Sequence, residues 1–185
     1  MTINATVSAE LYKLQQTSGF IELFTLDATT ISGGSIYRFT NHPDSVGAGL
    51  TYSGVTYQPF PISTSGWEYS NTGGTIARPS ITISNVNKTI LSAVINLGDL
   101  VGAKFTRIRT YAKFLDGAPS ANTSAYIGPD VYYINQLTYM DNEVITFELA
   151  NSLDRLGMLF PRRLILKDTS VKNLYAPGVS RTRIR

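Results

Sequence analysis

The sequence predicts a mainly β fold, an antiparallel barrel or sandwich with one or two short helices. Three observations carry this expectation. At least eight segments read as strands, several of them by alternating apolar and polar residues with a period of two. Eleven tyrosines and eight phenylalanines, with many threonines and β-branched residues, favour strands over helices. Short clusters of Gly, Pro, Asn and Asp separate the segments and supply turns.

In chain order, Thr6 to Gln16 reads as an amphipathic helix, with Val7, Leu11 and Leu14 on one side and Glu10 and Lys13 on the other. Phe20 to Asp27 is apolar on both faces, which predicts a central strand. Ser32-Gly33-Gly34 turns the chain into a second strand, Ser35 to Asn41, as a hairpin. After a loop from His42 to Gly49, Leu50-Thr51-Tyr52 and Val55-Thr56-Tyr57 flank Ser53-Gly54 as a tight second hairpin.

Ser65 to Val86 hands the chain from one half to the other. It holds the only tryptophan, Trp67, the turn Asn71-Thr72-Gly73-Gly74, and a strand from Ser80 to Val86 entered through Arg78-Pro79. Asn87 to Leu97 is a helix, with Asn87 as N-cap and Gly98 as its stop; Ile90, Leu91, Val94, Ile95 and Leu97 form its apolar face.

Ala103 to Leu115 is the longest strand. Its alternation is imperfect, because Arg107 and Arg109 share a side with Phe105 and Tyr111, so a bulge or a change of neighbours is expected. Asp116 to Pro129 is a long polar loop, of a length usually functional or mobile. Val131 to Met140 and Glu143 to Ala150 pair across Asp141-Asn142, with Ile145, Phe147 and Leu149 inward. A last short strand spans Pro161 to Lys167. The organisation is an N-terminal helical arm, 1–17, a β-rich domain, 18–167, and a basic C-terminal arm, 168–185.

Composition excludes several chemistries. There is no cysteine, so the chain itself offers no disulfide, thiolate metal site or cysteine nucleophile. No apolar run approaches the roughly 18 residues of a spanning helix, and no signal peptide is read at the N-terminus. The net charge is +3, but residues 1–159 hold 9 Lys and Arg against 12 Asp and Glu, while residues 160–185 hold 7 against 1. The basicity belongs to the C-terminal segment.

No catalytic or metal-binding set emerges. His42 stands alone in a polar loop and reads as solvated. No strained Gly-x-Ser-x-Gly turn is present. Asp141 and Glu143 straddle a hairpin tip and read as turn chemistry rather than paired acids. The two glycine turns lack the lysine of a phosphate loop. Arg107, Arg109 and Lys113, with Tyr111 among them, could follow a nucleic-acid backbone, but residues 1–159 are net acidic, so a solvated or protein-facing surface is preferred. Arg162, Arg163, Arg181, Arg183 and Arg185 read as a flexible tail or as an arm on an acidic neighbouring subunit. The tyrosines Tyr52, Tyr57, Tyr69, Tyr111, Tyr126, Tyr132, Tyr133 and Tyr139 exceed what a core needs, and protein interfaces are preferred for them over sugar sites. The expected subunit-interface set is therefore Arg107, Arg109, Tyr111, Arg162, Arg163, Arg181, Arg183 and Arg185.

Several segments resemble the phage minor tail protein L family of lambda-type tail tips. They are Tyr57-Gln58-Pro59-Phe60-Pro61-Ile62 followed by Ser65-Gly66-Trp67-Glu68; Arg78-Pro79-Ser80-Ile81-Thr82-Ile83-Ser84-Asn85; Val101-Gly102-Ala103 with Arg109-Thr110-Tyr111-Ala112-Lys113-Phe114-Leu115-Asp116; and Phe160-Pro161-Arg162-Arg163. Their order and spacing match across most of residues 18–166.

The resemblance implies a non-enzymatic virion protein at the tail tip, made in the host cytoplasm, with a barrel of the tail-tube or hub type. It implies a homotrimer that joins the tail tube, through a distal tail protein, to the central hub carrying host recognition. A tape-measure protein is a further possible partner. No nucleic-acid specificity and no membrane span are expected. Typical members carry cysteines after the Phe-Pro-x-Arg segment, thought to hold an iron–sulfur cluster. Lys167 to Arg185 has none, so no cluster and no other cofactor is expected. The competing expectation is a receptor- or glycan-binding β-sandwich on a virion or cell surface, using the tyrosines and the loop 116–129.

Overall fold

The computed structural model describes residues 2–13, 18–43, 47, 49–67, 78–84, 88–152 and 154. Ten strands and two helices lie among them, and the strands form one sheet.

The central strand is β2 (Phe20–Asp27). Its two apolar faces serve two cores: Phe24 and Leu26 enter the main core, while Ile21 and Leu23 face a second cluster. β3 (Ile36–Thr40) returns antiparallel, from Leu23↔Thr40 to Asp27↔Ile36. The turn between them is tight at Gly34, where an added Cβ would sit 1.9 Å from the Ala28 carbonyl oxygen. Backbone cannot yield cheaply there. Gly34→Ala is expected to cost about 1–3 kcal/mol, as overpacking does. Gly19→Ala, with nothing within 4 Å, is the matched control in urea denaturation.

β4 (Leu50–Tyr52) and β5 (Val55–Pro59) form the tight hairpin, with Ser53 and Gly54 both at positive φ. It folds over the outer face of β2 and buries Leu50, Tyr52 and Tyr57 on Ile21 and Leu23. The end of β5 then runs parallel to β3, pairing Phe39↔Gln58 and Thr40↔Pro59. This is one parallel pair in an otherwise antiparallel sheet. β5 thus runs in the direction of β3, and β4 opposite to it.

The Tyr52 hydroxyl donates to the Thr123 carbonyl at 2.9 Å, fastening the hairpin to the long loop. Burial, reinforced by nearby Tyr126, Asp116 and Tyr57, pushes its pKa up to about 12. The folded state thus favours the neutral phenol. That stabilisation is complete below the ordinary tyrosine pKa near 10 and is lost as pH rises towards about 12. Ultraviolet titration should show a tyrosine ionising near 12, absent in Tyr52→Phe.

A short strand not expected from sequence, β6 (Ile62–Ser65), follows and pairs with β7 (Ser80–Ser84). The chain changes neighbours at Phe60-Pro61. Phe60 N–H donates to Thr40 at 2.8 Å, and the Pro61 carbonyl accepts from Ser84 at 2.9 Å. With β8 (Lys104–Tyr111), β9 (Ile127–Met140) and β10 (Val144–Ala150), the order is β4-β5-β3-β2-β8-β9-β10-β7-β6. Because β5, next to one end of this order, runs directly into β6 at the other end through Phe60-Pro61, the sheet curls into a barrel.

Its core is apolar. Phe24 and Phe105 stack with centroids 5.8 Å apart, and Ile81, Ile83, Ile145, Phe147 and Leu149 line the facing strands. Ile145, Phe147 and Leu149 point inward as their alternation requires. Helix α2 (Thr89–Asn96) plugs this core with Ile90, Ala93 and Val94. Ile95, expected inward, is 66% exposed, because the buried stripe is narrower than the run of apolar residues. Lys88 holds the N-cap position in a left-handed conformation without a side-chain cap, and Asn87 lies outside the described residues.

β8, expected to be the longest strand, stops at Tyr111 and gives way to a 3₁₀ turn at Ala112–Phe114, so the longest strand is instead β9, with 14 residues. That turn lets Tyr111 and Phe114 form a satellite core with Val7, Ala125 and Ile127. The expected irregularity is present as a register shift against β9 between Arg107 and Arg109. The long loop ends at Tyr126 rather than Pro129 and is tied down: Asp116 accepts from Ser53 N–H at 3.2 Å and Gly54 N–H at 2.7 Å. At the N-terminus, β1 (Thr2–Ile3) pairs with β9, and α1 (Ala5–Leu11) is capped by Asn4. Helix α1 ends short of the expected Gln16. Val7 is its buried apolar contact, Leu11 is largely exposed, and Glu10, expected outward, is buried. The strand expected at 161–167 and the arm 168–185 lie outside the described residues.

Candidate functional site

On one flank the barrel is an open sheet. Up to Ile134, β9 is flanked by β8: Ile134 exchanges hydrogen bonds with Gly102 and Ala103 at 2.8 and 2.9 Å. Beyond it, among the described residues, β9 pairs with β10 alone, through Leu137↔Phe147, Tyr139↔Thr146 and Met140↔Ile145. β10 pairs onward with β7, and β7 with β6. Among the described residues β6 has no other strand partner. Among the described residues, the upper part of β9 with β10, β7 and β6 is thus a four-stranded antiparallel sheet with no strand paired to either edge. An open edge presents unpaired N–H and C=O groups and is a template for another strand. Tyr139 and Met140 are exposed beside one edge.

The outer face of this sheet is polar. Thr82 and Thr146 hydroxyls meet at 3.1 Å, and Ser65 and Ser80 at 2.8 Å. Glu148 on β10 accepts from Asn135 at 3.1 Å and Gln136 at 3.2 Å on one side and from Arg78 at 3.2 Å on the other. Arg78 also holds Asp154 at 2.7 Å. Each such exposed pair contributes little alone, about 0–1 kcal/mol. Their row nevertheless links β9, β10 and the entrance to β7.

One buried charge cluster braces the barrel beside this sheet. Arg107 is only 5% exposed. It donates to Asp130 from Nε at 3.2 Å and Nη2 at 2.9 Å, and reaches Glu22 at 3.4 Å. Arg109 donates to the same Asp130 oxygen at 3.1 Å. Trp67 lies over the Arg107 guanidinium, 3.6 Å from Cζ to the ring centroid, and meets Tyr132 edge-on at 5.3 Å. Two cations and two carboxylates give zero net charge, the condition for keeping such groups out of water. The flat guanidinium suits both the indole face and the carboxylate edge.

The solvated surface expected for Arg107 is therefore corrected. Its inward position put it where only a paired charge is tolerated. Tyr111 is 1% exposed and packs in the satellite core. Both side chains are buried within their own chain. Arg162, Arg163, Arg181, Arg183 and Arg185 lie outside the described residues. Tyr52, Tyr57 and Tyr132 are core residues as well, contrary to the interface preference, whereas Tyr139 is exposed. The sequence reading missed Glu22 and Asp130. Glu22 carried a signal: a lone carboxylate on the apolar inward face of β2 requires a partner.

His42 is exposed and its Nδ1 meets Asn41 Oδ1; Asp141 accepts from Asn142 N–H at the hairpin tip. Among the described residues no three His, Asp or Glu side chains are grouped to hold a metal. The chain has no cysteine, so it supplies no thiolate for an iron–sulfur cluster, and that group does not fit the residues present.

Comparison with known proteins bears on this architecture. The model of the family described as phage minor tail protein L matches residues 29–177. The chain belongs to the phage minor tail protein L family. Tail tip protein L of Escherichia phage lambda is 32% identical over 157 residues, covering 82% of this chain and 67% of that protein. A chain of the virion of a native gene transfer agent particle has the same fold, with a TM-score of 0.58 at 16% identity. That match covers 86% of this chain and 49% of the other, so this chain spans about half its length. This minor tail protein is a structural component of the phage virion, at the tail tip. No helix among the described residues is long and apolar enough to cross a membrane.

Proposed function

We propose that this minor tail protein is a non-enzymatic connector of the tail tip, joining the tail tube and a distal tail protein to the central hub protein, as a homotrimer. The observation that carries the reading is the four-stranded sheet whose two edges, β9 beyond Ile134 and β6, have no further strand partner among the described residues. Different edges on one protomer make a head-to-tail contact, and such contacts generate rings when the rotation closes. A permanent ring contact buries roughly 2,000 Å² or more in total, so strand pairing needs the polar outer face and neighbouring loops to join in. The basic segment 160–185 supplies the complementary charge for an acidic neighbour.

The test places lysines on the open edge. Lysine on an edge strand opposes pairing with another chain while leaving the barrel intact. The double variant Tyr139→Lys/Met140→Lys should keep its circular dichroism and melting behaviour. It should fail to rescue a phage lacking the gene, leaving particles without completed tails. Normal rescue with an intact fold would overturn the reading.

A further inference from the structure

Outside the open sheet, a groove of about 440 Å³ runs between α1 and the loop that follows the 3₁₀ turn. Its polar lining is Thr6, Glu10, Lys13, Lys113, Ser120 and Asn122. Ala9 and Phe114 add apolar surface to the same walls. Both walls are fixed. Val7 anchors α1 in the satellite core, while Asn122 N–H bonds the Phe114 carbonyl at 3.1 Å and Tyr52 holds Thr123.

The electrostatics are lopsided. The Glu10 side chain is 4% exposed, and one oxygen, Oε2, serves both Lys13, at 2.8 Å, and Lys113. These contacts, Lys113 first, hold its carboxyl below the ordinary glutamate range, so it is charged at neutral pH. Its other oxygen, Oε1, is buried with no hydrogen-bond partner among the described residues. Two ammonium groups against one carboxylate leave a net charge of +1. Each ammonium has three donors and gives one to Glu10. The Asn122 side-chain oxygen is spent on Ser124 N–H at 2.9 Å, which leaves its amide as a donor. Hydroxyls of Thr6 and Ser120 add to the lining. The lining carries more donors than acceptors, and its unpartnered acceptor, Glu10 Oε1, is buried rather than exposed to a ligand.

We infer that this groove receives the carboxylate of an aspartate or glutamate side chain from a neighbouring tail protein. A single negative charge matches the net +1, whereas a phosphate dianion would add repulsion from Glu10. The apolar surface of Ala9 and Phe114 suits the methylene stem of such a side chain. The partner class rests on the tail-assembly reading, but the groove is separate from the sheet edges, so the two stand or fall on different measurements.

The experiment titrates the intact chain with acetyl-Gly-Glu-Gly-amide and with its glutamine counterpart, reading backbone amide resonances. The glutamate peptide should shift the amides of residues 6–13 and 120–122 saturably, and the glutamine peptide should not. Lys13 is 56% exposed, so Lys13→Met keeps the fold while removing a charged donor. Affinity should then fall about tenfold, the loss expected for one charge-assisted hydrogen bond. Equal response to the two peptides, no saturable response, or unchanged affinity in Lys13→Met would overturn the proposal. Tighter binding of inorganic phosphate than of the glutamate peptide would also overturn it, marking a small-anion site. A null titration together with failed rescue by Tyr139→Lys/Met140→Lys would remove the groove and leave the connector role standing.

Discussion

Asp130→Ala is expected to destabilise the protein by about 3–5 kcal/mol, the usual cost of breaking a buried charge pair from one side. Asp130 is the hub of the internal cluster. One of its oxygens accepts from Arg107 twice and from Arg109 once. Without it, Arg107 keeps only Glu22, at 3.4 Å, while remaining beneath Trp67 and away from water. A charge stranded there costs more than the pair contributed. The loss is a large fraction of the roughly 5–15 kcal/mol that holds a typical domain.

Denaturation in urea checks the magnitude, and a double-mutant cycle checks the cause. Arg107→Met combined with Asp130→Leu replaces the pair by apolar groups of comparable bulk. If stranded charge is the cost, this double variant should be more stable than Asp130→Ala alone. If it is equally unstable, the packing of Trp67 on Arg107 is the dominant contribution instead. Trp67 fluorescence should report the event in either case, since its ring covers the guanidinium.

Phe105→Ala should cost a similar amount, about 3–5 kcal/mol, by a different mechanism. Phe105 is fully buried in β8 and stacks on Phe24, its diagonal neighbour on the adjacent strand β2, on the inward face. Truncation removes most of a ring from water-free surroundings and leaves a void that the paired strands cannot close. β2 and β8 are locked in register from Phe20↔Tyr111 to Asp27↔Lys104, so the backbone has little room to relax. Ile95→Ala is the control. It removes a larger aliphatic side chain from an exposed helix face and should stay within about 0.5 kcal/mol of the parent. A small effect at Phe105 measured beside it would mean that the barrel interior collapses around the void.

The sequence by itself determined the strands whose surroundings repeat regularly. Phe20–Asp27 read as central because both faces were apolar, and the structure buries both. The Val144–Ala150 strand read correctly because one side meets the core and the other meets water. The hairpin at Ser53-Gly54 was legible because only a few residues accept positive φ. These are local rules, and each strand obeys them without knowing its neighbours. Tertiary structure decided what depended on distant partners. Whether Glu10 and Arg107 face water or the interior was set by Lys113 and Asp130, far along the chain, because a charge is admitted inside only when its counter-charge arrives with it. The parallel pairing of β3 with β5 and the change of neighbour at Phe60-Pro61 follow from how the sheet closes. The open edges follow from where β8 ends against β9, a register fixed between strands and so absent from the alternation within either one.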